Sequence, residues 1–101
     1  MTGAEIGQQI VRIVQEAAAN AARHAGATRI RTEIRRCGDA LRVRVEDNGR
    51  GFDASQAFST TGGHFGLLGM QERAERINGS FDLRTEPGKG TTIEVVVPLP
   101  S

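Results

Sequence analysis

Four polar residues between Glu16 and His24 recur at nearly four-residue intervals in an alanine-rich stretch. On a helix this spacing places Glu16, Asn20 and the Arg23-His24 pair along one edge. The amide oxygen of Asn20 is a hard ligand suited to Mg²⁺, and Glu16 can orient a metal-bound water or an attacking group. Arg23 and His24 are within reach of phosphate oxygens. The alternative is an Asn20 that is simply solvated or locally bonded, as is common in such helices.

A second group of residues, Asp47-Asn48-Gly49-Arg50-Gly51, follows directly after a strand-like pattern. Two glycines one residue apart let the backbone come close to a flat ligand. An ionised Asp47 accepts hydrogen bonds and donates none, which matches the exocyclic amino group of adenine. The same residues also suit a tight turn after a strand, so the segment alone leaves both interpretations open.

A glycine-rich stretch from Gly62 to Met70 leads into a helical pattern. Free backbone amides and the helix dipole at such a point form a phosphate site. The stretch lacks the Gly-Lys-Ser/Thr of a Walker motif and the preceding strand of a dinucleotide-binding fingerprint. His64 can either reach a phosphate or pack beneath the loop.

A third glycine segment, Gly88-Lys89-Gly90-Thr91-Thr92, reads as a hairpin turn when it is taken alone. At the base of that turn, Thr91 or Thr92 can offer a hydroxyl to the adenine end of a nucleotide. The sequence leaves open which threonine does so.

Hydrophobic spacing predicts the elements that position these groups. Apolar residues at helical spacing predict a helix over about 5–25, ended near Gly26. Alternating residues predict hairpins over about 30–45 and about 81–97, with a second helix over about 67–77 between them. This order indicates a two-layer α/β sandwich, in which helices cover one face of a mainly antiparallel sheet and an arginine-rich face stays exposed.

Size and composition limit the function. The 101 residues suffice for one domain, and the net charge of +1 gives no reason to expect nucleic acid or anionic lipid as a partner. Cys37 is the only cysteine, which excludes an internal disulfide and fits a reducing compartment. No signal peptide or membrane-spanning run is encoded. Because helical spacing starts near the first residue and a strand runs nearly to the last, we expect one domain excised from a longer protein.

The ordered combination of motifs is more specific than any one of them. It consists of Glu-x-x-x-Asn-x-x-Arg-His on a helix, Asp-x-Gly-x-Gly after a strand, Gly-x-x-Gly-x-x-Gly-Met opening a helix, and Gly-x-Gly-Thr. This set resembles the N, G1, G2 and G3 boxes of the GHKL ATPase superfamily, over about residues 14–99. The residues of the four boxes are most similar to those of the catalytic domains of nitrate-sensor-like and DesK-like sensor histidine kinases. The resemblance implies a Bergerat-type ATP-binding fold, with a mixed sheet that is mainly antiparallel.

The resemblance also implies a role for each matching residue. Asn20 would bind Mg²⁺ and Glu16 would be the catalytic acid of the N box, while residues 53–65 would form the ATP lid. The remaining residues implied to bind ATP lie in all four boxes: Arg23, His24, Asp47, Gly49, Gly51, Gly63, His64, Gly66, Leu67, Gly69, Met70 and Thr91 or Thr92.

By the same resemblance, the chain is the Mg-ATP-binding catalytic part of a protein-histidine kinase in two-component signalling. Its γ-phosphoryl group would go to a histidine on a separate dimerisation domain, with a response regulator downstream. We expect a cytoplasmic location, in a parent protein that can itself be membrane-anchored, and no contact of this domain with membrane or nucleic acid. Two alternatives are a stand-alone, anti-sigma-factor-like serine kinase and a nucleotide-binding module without catalysis.

Overall fold

The computed structural model describes residues 2–23, 26–51 and 66–100. Within these ranges the chain forms two helices and four strands, in the order α1 (Gly3–Arg23), β1 (Ile30–Cys37), β2 (Ala40–Asp47), α2 (Leu67–Arg76), β3 (Ser80–Thr85) and β4 (Thr91–Pro98). The two helices and the two hairpins predicted from hydrophobic spacing are therefore all present.

Helix α1 begins at a reciprocal cap. The Glu5 amide donates to Thr2 Oγ1 at 3.1 Å, and the Thr2 amide donates to the Glu5 carboxylate at 3.3 Å. This capping box gives partners to backbone donors that the first helical turn leaves unpaired. From Ile6 to Ala21, the buried residues of α1 then follow one helical face, which lies on the sheet. Within the described ranges, no helix combines the length and apolar character needed to cross a bilayer.

The strands form one sheet in the order β1-β2-β4-β3, and each described pair of neighbours is antiparallel. In this register Asp47 lies opposite Ile30 on one side and Thr91 on the other, and Thr85 lies opposite Thr91. Facing partners in an antiparallel ladder point to the same side of the sheet. One side chain from each strand therefore lies in a row across this end of the sheet.

The hydrophobic core fills the space between the two helices and one face of the sheet. Burial of apolar surface is the main favourable term in folding, and this layer supplies it. Its buried members come from both helices, from β2 and β4 and from the turn after α2: Ile6, Ile10, Ile13, Ala17, Val43, Val45, Leu67, Met70, Ala74, Ile77, Ile93, Val95 and Val97. The predicted α/β sandwich with helices on one face is thus confirmed.

The opposite face of the sheet carries the arginines, as the alternating pattern predicted. Glu33 lies 3.9 Å from Arg31, 3.7 Å from Arg35 and 3.9 Å from Arg42. Arg44 and Glu46 form a closer pair at 2.8 Å. Exposed ion pairs of this kind contribute at most about 1 kcal/mol each. Their main effect is to balance the charge of the open face, which therefore presents no purely basic surface to an anionic partner.

Three chain connections meet at the end of the sheet where β2 and β3 finish and β1 and β4 start. They are residues 26–29 after α1, residues 48–51 after β2, and residues 86–90 between β3 and β4. The antiparallel order brings them together although they are far apart in sequence. The second and third of these connections contain two of the predicted glycine motifs.

Candidate functional site

Asp47 is the last residue of β2 and lies on the helix-facing side of the sheet, half-buried. Its Oδ1 accepts a hydrogen bond from the Gly49 amide at 2.8 Å. That bond fixes the orientation of the carboxylate, yet an ionised carboxylate has acceptor sites on both oxygens. Asp47 therefore retains the capacity to accept a hydrogen bond from a ligand amino group.

The register separates the two threonines that the sequence left as alternatives. Thr91 lies beside Asp47, is 8% exposed, and has its Oγ1 3.0 Å from Thr85 Oγ1. Thr92 pairs with Glu46 and Arg84, so its side chain lies on the open face. Of the two hydroxyls, only that of Thr91 shares a side of the sheet with Asp47.

Two glycines allow the turns around Asp47 to pack backbone against backbone. Gly51 has a φ of 63°, and a Cβ added there would overlap the carbonyl of Glu86. Gly90 has a φ of 77°, and a Cβ there would overlap the carbonyl of Asp47 itself. Any side chain at either position would push the two turns apart, so both glycines shape the Asp47 end of the site.

The start of α2 presents backbone donors. Gly66 adopts a left-handed conformation with a φ of 62°, and the Met70 amide donates to the Gly66 carbonyl at 3.0 Å. The amides of residues 67–69 precede the first helical hydrogen bond and point out of the helix end, where the dipole favours an anion. The side chains of Leu67 and Met70 are 2% and 1% exposed and belong to the core. What these two residues can offer a ligand is backbone.

A cleft of about 540 Å³ lies between α1 and α2. Its lining combines predicted site residues with others: Arg12, Gln15, Glu16, Ala19, Arg23, Gly66, Gly69, Met70 and Arg73. Glu16 reaches the start of α2, where a Cβ on Gly66 would be only 2.5 Å from its Oε1. Asn20, half-buried, follows Glu16 by one helical turn. The structure thus brings the acid of α1 against the amide end of α2.

Sequence reasoning missed two basic residues of this cleft, Arg12 and Arg73. Arg12 precedes Glu16 by one turn, so the spacing that selected Glu16 and Asn20 could also have selected it. Arg73 follows Gly69 by one turn, and its Nη1 donates to Gln9 Oε1 at 3.2 Å. Together with Arg23 they give the cleft three guanidinium groups, the type of donor that matches phosphate oxygens.

His24, Gly63, His64 and the whole predicted lid, residues 53–65, lie outside the described residues. The assignments of these residues stay predictions.

The available donors fit a magnesium ion held jointly with a ligand. Mg²⁺ prefers oxygen donors and usually takes one or two from the protein, with phosphates and waters completing its shell. Asn20 and Glu16 supply an amide and a carboxylate oxygen one turn apart. No group of three or more His, Cys, Asp or Glu that could hold a metal occurs in the part of the chain that the structure describes.

Comparison with known proteins identifies the family. Residues 5–101 match the histidine kinase-, DNA gyrase B-, and HSP90-like ATPases. The chain belongs to this ATPase family. The GHKL resemblance inferred from the four boxes is thereby confirmed.

Relatives of the ATPase domain include a sensor protein and a signal transduction histidine-protein kinase/phosphatase. It is 38% identical over 94 residues to the sensor protein VraS of Staphylococcus epidermidis, covering 93% of this chain and 26% of VraS. It is 38% identical over 90 residues to the histidine-protein kinase/phosphatase DegS of Brevibacillus brevis, covering 89% of this chain and 22% of DegS. The chain therefore spans roughly a quarter of the length of these relatives.

A solved structure supports the same fold. The histidine kinase domain of a blue-light-activated histidine kinase from Erythrobacter litoralis superposes with a TM-score of 0.78 at 25% identity, covering 94% of this chain and 45% of that one. The ATPase domain described here is thus of the type that histidine kinases carry.

The turn packing predicts a difference between two glycine substitutions. Gly51→Ala places a Cβ against the Glu86 carbonyl, whereas Gly88→Ala, at a φ of 82°, has nothing within 4 Å. In both variants, alanine in the left-handed conformation destabilises the fold by about 1–2 kcal/mol. Gly51→Ala adds overpacking of about 1–3 kcal/mol. Urea unfolding should therefore show the larger loss of stability for Gly51→Ala, and equal losses would contradict the close approach.

Proposed function

We propose that the ATPase domain binds Mg-ATP and supplies its γ-phosphoryl group to a histidine on a separate dimerisation domain of a parent kinase. A response regulator would then receive the phosphoryl group in two-component signalling, in the cytoplasm. The observation that carries the proposal is the placement of Asp47 at one end of the sheet, on the side where α1 and the amide end of α2 enclose a basic cleft.

The adenine end of the proposed site is Asp47. Its carboxylate, oriented by the Gly49 amide, would accept a hydrogen bond from the 6-amino group of adenine. Thr91, beside it in the sheet, would support this contact through its hydroxyl. Gly49 would keep the adjoining backbone free of a side chain where the flat base approaches, while Gly51 shapes the pocket by letting its turn pack against Glu86.

The phosphate end of the proposed site is the cleft. The amides of Leu67 and Gly69 would donate to phosphate oxygens, and the dipole of α2 favours the negative charge there. Arg23 would add a charged donor, and Arg12 and Arg73 line the same cleft. By the resemblance, Gly63, His64 and His24 would also approach the phosphates, and residues 53–65 would form the lid.

The metal is proposed to lie next to α1. Asn20 would give its amide oxygen to Mg²⁺, and Glu16 would orient a water or the attacking group. A bound Mg²⁺ would neutralise the charge on the β- and γ-phosphate oxygens. Positioned donors of this kind stabilise the charge of the transferring group, which is the main task of a phosphoryl-transfer site.

The acceptor is proposed to be a histidine outside this sequence. Both histidines of the chain, His24 and His64, fall inside nucleotide-binding motifs, so neither suits the acceptor role. VraS and DegS are each roughly four times as long as this chain, which leaves room for such a domain in the same polypeptide. Their names give no support to the serine-kinase alternative.

Replacing the adenine-reading carboxylate should weaken ATP binding. In Asp47→Asn, the one side-chain oxygen stays bonded to the Gly49 amide, so an NH₂ group takes the place of the second carboxylate oxygen. That NH₂ group faces the 6-amino group of adenine, and two donors do not form a hydrogen bond. We expect at least about a tenfold loss of Mg-ATP affinity by calorimetry, since hydrogen bonds to charged groups contribute about 1.5–3 kcal/mol. The control is Asp39→Asn, in the exposed turn at the other end of the sheet. Equal affinities for both variants and wild type would refute the Asp47 assignment.

Removing the proposed metal ligand should abolish the benefit of magnesium. Wild-type protein should bind ATP more tightly with Mg²⁺ than with EDTA, and should gain thermal stability from the ligand by linkage. In Asn20→Ala the affinity in EDTA should change little, while the gain from Mg²⁺ should largely disappear. Gln8→Ala, at an exposed position of the same helix outside the cleft, is the matched control. An undiminished magnesium effect in Asn20→Ala would exclude Asn20 as the ligand.

Phosphoryl transfer is tested with the parent protein's dimerisation domain and γ-labelled ATP. The expected product is a label on that domain that is lost in acid and kept in alkali, the behaviour of phosphohistidine. Asn20→Ala should prevent it. An acid-stable label would indicate a hydroxyl acceptor and contradict the histidine-kinase proposal.

A further inference from the structure

Asn48, between Asp47 and Gly49, makes contacts for which neither the motif nor the proposed function accounts. Its Oδ1 accepts hydrogen bonds from the amides of Thr28 at 3.0 Å and Arg29 at 2.9 Å. Its Nδ2 donates to Thr28 Oγ1 at 2.8 Å. Its own amide donates to the Arg29 carbonyl at 3.2 Å. The two backbone amides require an oxygen opposite them, which fixes the orientation of the side-chain amide.

These bonds join two of the three connections at the end of the sheet. The segment that Asn48 holds is the connection between α1 and β1, which is itself tied to α1. The Ala27 amide donates to the carbonyl of Ala21, the residue after Asn20, at 3.2 Å. The turn that carries Asp47 is therefore linked, through Asn48 and residues 27–29, to the part of α1 that contains Asn20.

The hydrogen bonds of Asn48 also affect the orientation of the Asp47 carboxylate. Its oxygen is held by the Gly49 amide, and the position of that amide depends on the conformation of the turn at residues 48 and 49. Asp47 ends its strand, and beyond it one backbone bond, from the Asn48 amide to the Arg29 carbonyl, joins the turn to the segment before β1. The three side-chain hydrogen bonds of Asn48 add to that bond, by holding the turn against Thr28 and Arg29.

We propose that Asn48 is a positioning residue for base recognition, which holds the Asp47 carboxylate where it can read the 6-amino group of adenine. The proposal rests on the adenine role of Asp47 under the proposed function. Asn48 would then affect the preference for adenine over other bases and not only the stability of the fold.

The test compares the binding of Mg-ATP with that of Mg-ITP, whose base carries an oxygen in place of the 6-amino group. Wild-type protein should prefer ATP. Asn48→Ala should narrow this preference by about three- to tenfold, as expected for losing a few exposed hydrogen bonds, while ITP affinity changes less than about twofold. Thr28→Val removes only the contact to Nδ2, so it should narrow the preference in the same direction but by less.

The matched control is Asn78→Ala, in the turn after α2 at the opposite end of the sheet. Asn78 has a φ of 58°, so alanine there should lower the melting temperature through backbone strain but leave the ATP-to-ITP preference unchanged. If Asn48→Ala keeps the wild-type preference, or loses ATP and ITP affinity equally, the positioning role is overturned. If wild-type protein itself shows no preference for ATP, the adenine role of Asp47 is refuted, and the inference with it.

Discussion

The site depends on a close approach of two backbones at one end of the sheet. The turn after β2 and the turn between β3 and β4 pack closely: a Cβ on Gly51 would overlap the carbonyl of Glu86, and a Cβ on Gly90 would overlap the carbonyl of Asp47. Because Gly90 lies against Asp47, this contact also fixes the backbone of the proposed adenine-reading residue. The antiparallel register brings these turns together, and the core between the helices and the sheet maintains that register.

Charge is distributed differently on the two sides of the sheet. On the open face, carboxylates such as Glu33 and Glu46 lie beside the arginines and balance them. On the helix side, Arg12, Arg23 and Arg73 line one cleft, and the amide end of α2 points into the same region. Among the described lining residues these three guanidinium groups outnumber the carboxylate of Glu16, and an excess of positive charge in a cleft attracts anions. A small net charge is thus compatible with a local site for a triphosphate.

Local sequence patterns predict much of this arrangement, including the choice between Thr91 and Thr92. The alternation that places Ile93, Val95 and Val97 toward the helices also includes Thr91, so the choice of Thr91 over Thr92 required only the period of the strand. Other features depend on contacts between distant segments. The carbonyls beside Gly51 and Gly90, the partners of Asn48 and the approach of Arg73 to α1 follow from how elements pack, which periodicity does not specify. Ile34 illustrates the same limit: its alternation gives the correct side of the sheet, yet it is 56% exposed on the edge strand β1.

We propose that one nucleotide spans from the Asp47 turn to the amide end of α2 on the helix side of the sheet. The most direct test is a titration of the ¹⁵N-labelled domain with a non-hydrolysable Mg-ATP analogue, followed by amide chemical shifts. The shift changes should be concentrated at Gly49, Gly51 and residues 66–69, with little change at Arg42 and Glu94 on the open face. Shift changes confined to the open face, or none at saturating nucleotide, would contradict this placement of the nucleotide.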